Sequence, residues 1–124
     1  LSIVLDHLGG PTTASGDLAE WRRQIAAAAR APNVVAKVSG LLTQAKRPDG
    51  SLADIGPVVQ TALDCFGPQR LMYGGDWPVS LLAAPYPAMF DATRRTLSDL
   101  SQEDAAHIWH GTARRVYRLT DEKM

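Results

Sequence analysis

The run Arg70-Leu71-Met72-Tyr73-Gly74-Gly75-Asp76-Trp77-Pro78 decides the fold. An apolar segment too short for a helix gives way to two glycines, an acid and a proline. It therefore reads as a strand that closes on a tight polar end. The pattern occurs twice more upstream. Residues 1–6 form an apolar strand ending in Asp6-His7 before the break Leu8-Gly9-Gly10-Pro11, and Val34-Val35-Ala36-Lys37-Val38 closes on Ser39-Gly40.

Helical segments fill the intervals. From Asp17, Leu18, Trp21, Ile25 and Ala28 recur at helical spacing with Glu20, Arg22 and Arg23 off the stripe, until Pro32-Asn33. The polar stretch Thr43 to Ser51 holds the turn signal Pro48-Asp49-Gly50. A second helix is expected from about Asp54 to Phe66, with Ile55, Val58, Val59, Ala62, Leu63 and Phe66 on its apolar face, and Gly67-Pro68 stops it. After the irregular Leu81 to Pro87, one helix carries Met89, Phe90, Leu97 and Leu100. Another starts at Ser101, where Ser-x-x-Asp resembles a capping box, and runs through Ile108 and Trp109; Thr112 to Leu119 adds a further helical turn. The order β-α-β-α-β-α-α, repeating every roughly 30 to 40 residues, predicts parallel β/α packing. Ile3, Leu5, Val35 and Met72 are expected on its inner face.

The bulk numbers exclude several classes. The chain has 124 residues, 45% hydrophobic and 21% charged, which suits a portion of one globular domain spanning 1–124. Thirteen basic and 13 acidic residues balance, so no nucleic-acid or anionic-membrane partner is expected. No apolar run approaches the roughly 20 residues that span a bilayer. The lone Cys65 excludes an internal disulfide and points to a reducing cytoplasm. The opening Leu1-Ser2-Ile3-Val4-Leu5 starts within a strand, as a truncated or excised chain would.

In parallel β/α folds the strand C-termini share one face, and active sites are built there. His7, Lys37, Ser39 and Asp76 are therefore expected to converge, supplying a base, a cation and a possible metal site. Each has a plainer reading. His7 serves equally as a loop histidine before Gly9-Gly10, Lys37 as a snorkelling rim residue, and Asp76-Trp77-Pro78 as a turn. Asp6 reads as structural, bonding the turn amides after it. Trp21 and Trp109 read as core, His107 and His110 as surface or packing residues, and Cys65 as non-nucleophilic. Neither a phosphate loop nor a Cys/His zinc cluster occurs in the sequence.

At these strand ends the chain resembles the amidohydrolase-related family, and within it the lactonase branch that includes 2-pyrone-4,6-dicarboxylate lactonase and L-fucono- and L-rhamnono-lactonase-like enzymes. The resemblance rests on Asp6-His7-Leu8-Gly9-Gly10-Pro11, on Lys37-Val38-Ser39-Gly40, on Phe66 through Val79, and on Thr112 through Leu119, in the family's order. It implies the C-terminal part, the last three β/α units, of a (β/α)8 TIM barrel of the metal-dependent hydrolase type. It implies a hydrolase opening the lactone of a sugar acid or carboxylated ring. In that reading Asp76 is the catalytic carboxylate, His7 faces the same pocket, and Lys37, Ser39 and Trp77 bind substrate. The cofactor stays open between none and one zinc-like divalent ion held by His7 and Asp76. Gly74-Gly75 replaces the family's usual Gly-Ser, and Thr112-Ala113 its usual Asn-Ala. The family's His-x-His is not in this chain, so the 124 residues alone are expected to be inactive and to expose barrel edges open to self-association. A metal-dependent decarboxylase of the same superfamily and a non-catalytic truncated barrel are the rival readings.

Overall fold

The computed structural model describes residues 1–15 and 17–121, so the last three positions of the expected span 1–124 lie outside the described residues. Three strands, β1 (Ile3–Leu5), β2 (Val34–Val38) and β3 (Leu71–Tyr73), form one parallel sheet in the order β1-β2-β3. Helices α1 (Ala19–Ala29) and α3 (Gly56–Phe66) make the crossovers, with a short α2 (Leu41–Ala45) directly after β2. Beyond β3 come α4 (Tyr86–Thr96), α5 (Gln102–Ala106) and α6 (Thr112–Tyr117), the last two joined by a π-helical turn over His107–Gly111.

Register assigns the faces of the sheet. Ile3 pairs with Val34, Leu5 with Ala36, Ala36 with Leu71, and Val38 with Tyr73, which places all of these on one side. That side meets the helices: Val34, Ala36, Val38 and Leu71 pack with Trp21, Ile25, Ala29, Val58, Val59 and Ala62 in one apolar core. Val4, Val35, Lys37 and Met72 occupy the opposite face. The expected inner face is thus corrected: Ile3 and Leu5 do not share a side with Val35 and Met72. The apolar stripe of α1 also ends on Ala29, four residues beyond Ile25, where Ala28 was expected.

Two side chains position the strand ends. Trp21 Nε1 donates to the Leu8 carbonyl at 2.7 Å, clamping the turn that carries His7 onto α1. The guanidinium of Arg70 donates to the carbonyls of Ala29 (2.9 Å), Ala31 (3.1 Å) and Val34 (3.2 Å). It thereby ties the end of α1 and the start of β2 to the start of β3. Ser101 caps α5 by accepting from the Asp104 amide at 3.1 Å, as the sequence pattern predicted. No helix among the described residues is long and apolar enough to cross a membrane.

Candidate active site

Each strand delivers one polar group to the same end of the sheet. Immediately after β1 the chain turns through Asp6–Gly9, and His7 and Leu8 adopt left-handed φ of +56° and +51°. Asp76, beyond β3, also has φ +51°. Non-glycine residues occupy this region uncommonly, and such outliers gather at functional sites. The turn swings the His7 ring over β2, where Nδ1 lies 2.7 Å from Ser39 Oγ and Nε2 lies 3.8 Å from Asp76 Oδ1. The Asp76 side chain is 17% exposed and that of His7 42%, so both remain within reach of a ligand.

Gly40 makes this approach possible. A methyl carbon added there would come 2.8 Å from His7 Nδ1 and 3.2 Å from Asp76 Oδ2, and its φ of +64° is itself left-handed. Sequence reasoning saw Gly40 only as the close of a strand. The available signal was its place between Ser39 and the apolar Leu41-Leu42, which needs a sharp turn into a helix.

Lys37 finds the partner its position demanded. Its Nζ lies 3.1 Å from Asp6 Oδ1 and 5.6 Å from the centre of the Tyr117 ring. A hydrogen bond with Tyr117 and then one with Asp6 hold the ammonium above its ordinary pKa, against a smaller opposing effect of burial. Asp6, read from sequence as bonding turn amides, is therefore the counter-charge of Lys37. Ser39 is buried beneath His7, while Trp77 stands out into solvent, 68% exposed. His110 is exposed, and Trp109 packs on Tyr73 with ring centres 4.8 Å apart, as a packing residue would.

Gly75, Asp76, Trp77 and Tyr86 line an open recess of about 550 Å³. Tyr86 lies within the irregular stretch Leu81 to Pro87, where no periodicity in the sequence marks it. His7 Nε2 and Asp76 Oδ1 face each other closely enough for one ion to bridge them, but a catalytic zinc takes three protein ligands. Among the described residues no three His, Cys, Asp or Glu side chains gather as a metal site. This chain thus offers two donors, which do not complete a site.

Parallel β/α units with their polar groups gathered beyond the strand C-termini form part of a β/α-barrel enzyme architecture. The chain belongs to the amidohydrolase family, whose profile matches residues 1–119. It is 43% identical over 129 aligned residues to an L-fucono-1,5-lactonase of Burkholderia multivorans, covering 96% of this chain and 44% of that relative. Two crystal structures of an amidohydrolase from Burkholderia multivorans, one with bound HEPES and one with bound zinc, are similar in fold, with TM-scores of 0.91 and 0.88. Both are 43% identical and cover 96% of this chain, which spans 45% and 44% of theirs. A crystal structure of a putative 2-pyrone-4,6-dicarboxylic acid hydrolase from Pseudomonas putida shares the fold at TM-score 0.76 and 23% identity, over 95% of this chain and 43% of its own. The chain therefore spans less than half the length of the relatives it matches.

Proposed function

We propose that the protein carrying this chain hydrolyses the lactone of a sugar acid. The observation that supports it best is the His7–Asp76 approach of 3.8 Å at the strand ends, where Asp76 lines an open recess. Similarity to an L-fucono-1,5-lactonase supports the choice of substrate class. Asp76 takes a proton from water as the water oxygen bonds to the lactone carbonyl carbon. It then returns that proton to the ring oxygen as the acyl–oxygen bond breaks. With Ser39 donating to Nδ1, the His7 proton sits on Nε2, where it can donate to the carbonyl oxygen as negative charge develops. In this reading Ser39 orients His7. The Lys37 ammonium has three donors, so it can keep Asp6 and still hold a substrate carboxylate. Trp77 supplies an apolar wall.

If a divalent ion takes part, His7 and Asp76 are the two ligands this chain would contribute, and the ion would supply Lewis acidity. The same reading takes residues 1–124 as a portion of a single barrel domain with small-molecule rather than nucleic-acid or membrane partners. The same reading places the protein in the cytoplasm, which the single free thiol of Cys65 supports.

Asp76→Asn in the full-length protein tests this. Asn matches Asp in size and is among the few residues that tolerate left-handed φ, so the unfolding free energy should stay within about 0.5 kcal/mol. Hydrolysis of sugar-acid 1,5-lactones, followed with a pH indicator, should fall by about 10² to 10⁴. Wild-type protein that releases carbon dioxide from aromatic acids and hydrolyses no lactone would overturn the reading.

A further inference from the structure

The recess beside Asp76 has a wall that the reaction above does not use. Tyr86, the first residue of α4, lays its ring against the backbone of Gly75. A methyl carbon at Gly75 would come 2.9 Å from Tyr86 Cε2 and 3.0 Å from its hydroxyl oxygen. Only a residue without a side chain lets the phenol come so close to the backbone beside the proposed base. The Tyr86 hydroxyl lies 3.0 Å from that of Tyr73. Tyr73 is itself fixed from behind, with ring centres 5.9 Å from Phe90 and 4.8 Å from Trp109. Loss of water, and then the bond with Tyr86, push the Tyr73 hydroxyl well above its ordinary pKa, so it remains a neutral phenol.

We propose that Tyr86 is a specificity-determining residue whose hydroxyl, held by Tyr73, binds a hydroxyl group of the sugar-acid substrate in the recess next to Asp76. This rests on the lactonase reading and refines it. A phenol has one proton to donate and two lone pairs. Contact with Tyr73 uses part of that capacity, and Tyr86 lines the recess with Gly75, Asp76 and Trp77, which leaves the remainder for a ligand held there. With Tyr73 donating to Tyr86, the Tyr86 proton is free for an acceptor in the ligand. The carbon chain of a polyhydroxylated ligand carries both donors and acceptors, whereas the carbon chain of an unsubstituted lactone or acid carries neither. A site built to bond a hydroxyl discriminates against the analogue that lacks it. Tyr73 is a positioning residue in this scheme.

The experiment compares the full-length wild-type protein with Tyr86→Phe and Tyr73→Phe, each lacking one oxygen. Gluconate and hexanoate, two six-carbon carboxylates differing in their hydroxyls, are titrated calorimetrically. Glucono-1,5-lactone and δ-valerolactone are compared as substrates. Tyr86→Phe should weaken gluconate binding about three- to tenfold and raise KM for the hydroxylated lactone by a similar factor. Hexanoate binding and δ-valerolactone turnover should not change, and kcat should stay within about twofold. Tyr73→Phe should act in the same direction and more weakly, since it leaves the contacting hydroxyl in place. Equal losses for both acids, no loss for either, or a larger effect of Tyr73→Phe would overturn the assignment, as would wild-type protein that binds neither acid. The titrations decide the role of Tyr86 even for a protein that hydrolyses no lactone, so failure of the lactonase reading is told apart from failure of this one.

Discussion

At the scale of single residues, the site is a matter of who stands beside whom. Gly40 shows it best. Its neighbours are not bulky core residues but the His7 ring and the Asp76 carboxylate, from the ends of two other strands. Gly40→Ala would impose two costs together. The left-handed φ of +64° disfavours any Cβ by roughly 1–2 kcal/mol. The methyl group, 2.8 Å from Nδ1, would also drive the imidazole off Ser39. We expect the variant of the full-length protein to lose about 1–2 kcal/mol of unfolding free energy and at least about tenfold in kcat/KM. Chemical denaturation and lactone kinetics measure the two. Unaltered kinetics in the variant would mean that the His7 position does not matter to turnover. His7 and Asp76 were legible in the sequence because polar residues closing apolar runs converge in any parallel β/α sheet. Gly40 and Tyr86 were not, because their contributions depend on φ and on contacts across strands.

At the scale of elements, legibility followed length and periodicity. The segment Val34–Val38 was recognisable as a strand from its unbroken apolar run, and α3 from six apolar positions at helical spacing. The five residues of α2 are too few to show a period, and the π-helical turn at His107–Gly111 breaks the helical register that the sequence had carried straight through. The side of the sheet to which β1 turns is fixed by pairing Val4 with Val35, a register that neither segment reveals alone. Arg70 also looked like an ordinary boundary charge, yet it joins three elements. Its guanidinium bonds the carbonyl of Ala29, at the end of α1, together with that of Ala31 just beyond the helix, and stacks 5.2 Å from the Phe66 ring centre. Arg70→Met keeps the stem and removes every donor. Because the side chain is only partly buried, water can recover some of the loss, and we expect a cost of about 2–3 kcal/mol in chemical denaturation. Arg70→Lys should recover less than half, since one ammonium cannot reproduce the planar fork. Complete recovery with Lys would show that charge, rather than the shared carbonyls, is what matters.

At the scale of the whole molecule, the sheet is open. A barrel closes its strands into a ring, whereas here β1 and β3 each pair with β2 alone among the described residues. Open edges present unpaired amides and carbonyls on which another chain can align. Val35 and Met72, on the face that a closed barrel would cover, are buried here, so the liability lies elsewhere. It lies at the β1 edge, where Ile3 is 46% exposed, and on the turn after β3, where Val79, Leu81 and Leu82 are 52%, 52% and 70% exposed. Burying such a side chain fully is worth about 1.5–3 kcal/mol, while a domain's net stability is about 5–15 kcal/mol. Covering a few of them by association would therefore shift the balance decisively. We predict that the 124 residues, produced alone, self-associate with rising concentration in sedimentation velocity. Ile3→Lys, which places a charge on the edge strand, should move that transition to higher concentration without lowering the melting temperature of the monomer. A chain that stays monomeric across the concentration range and melts in one sharp transition would show that three β/α units close their own core and that the open edges do not drive assembly.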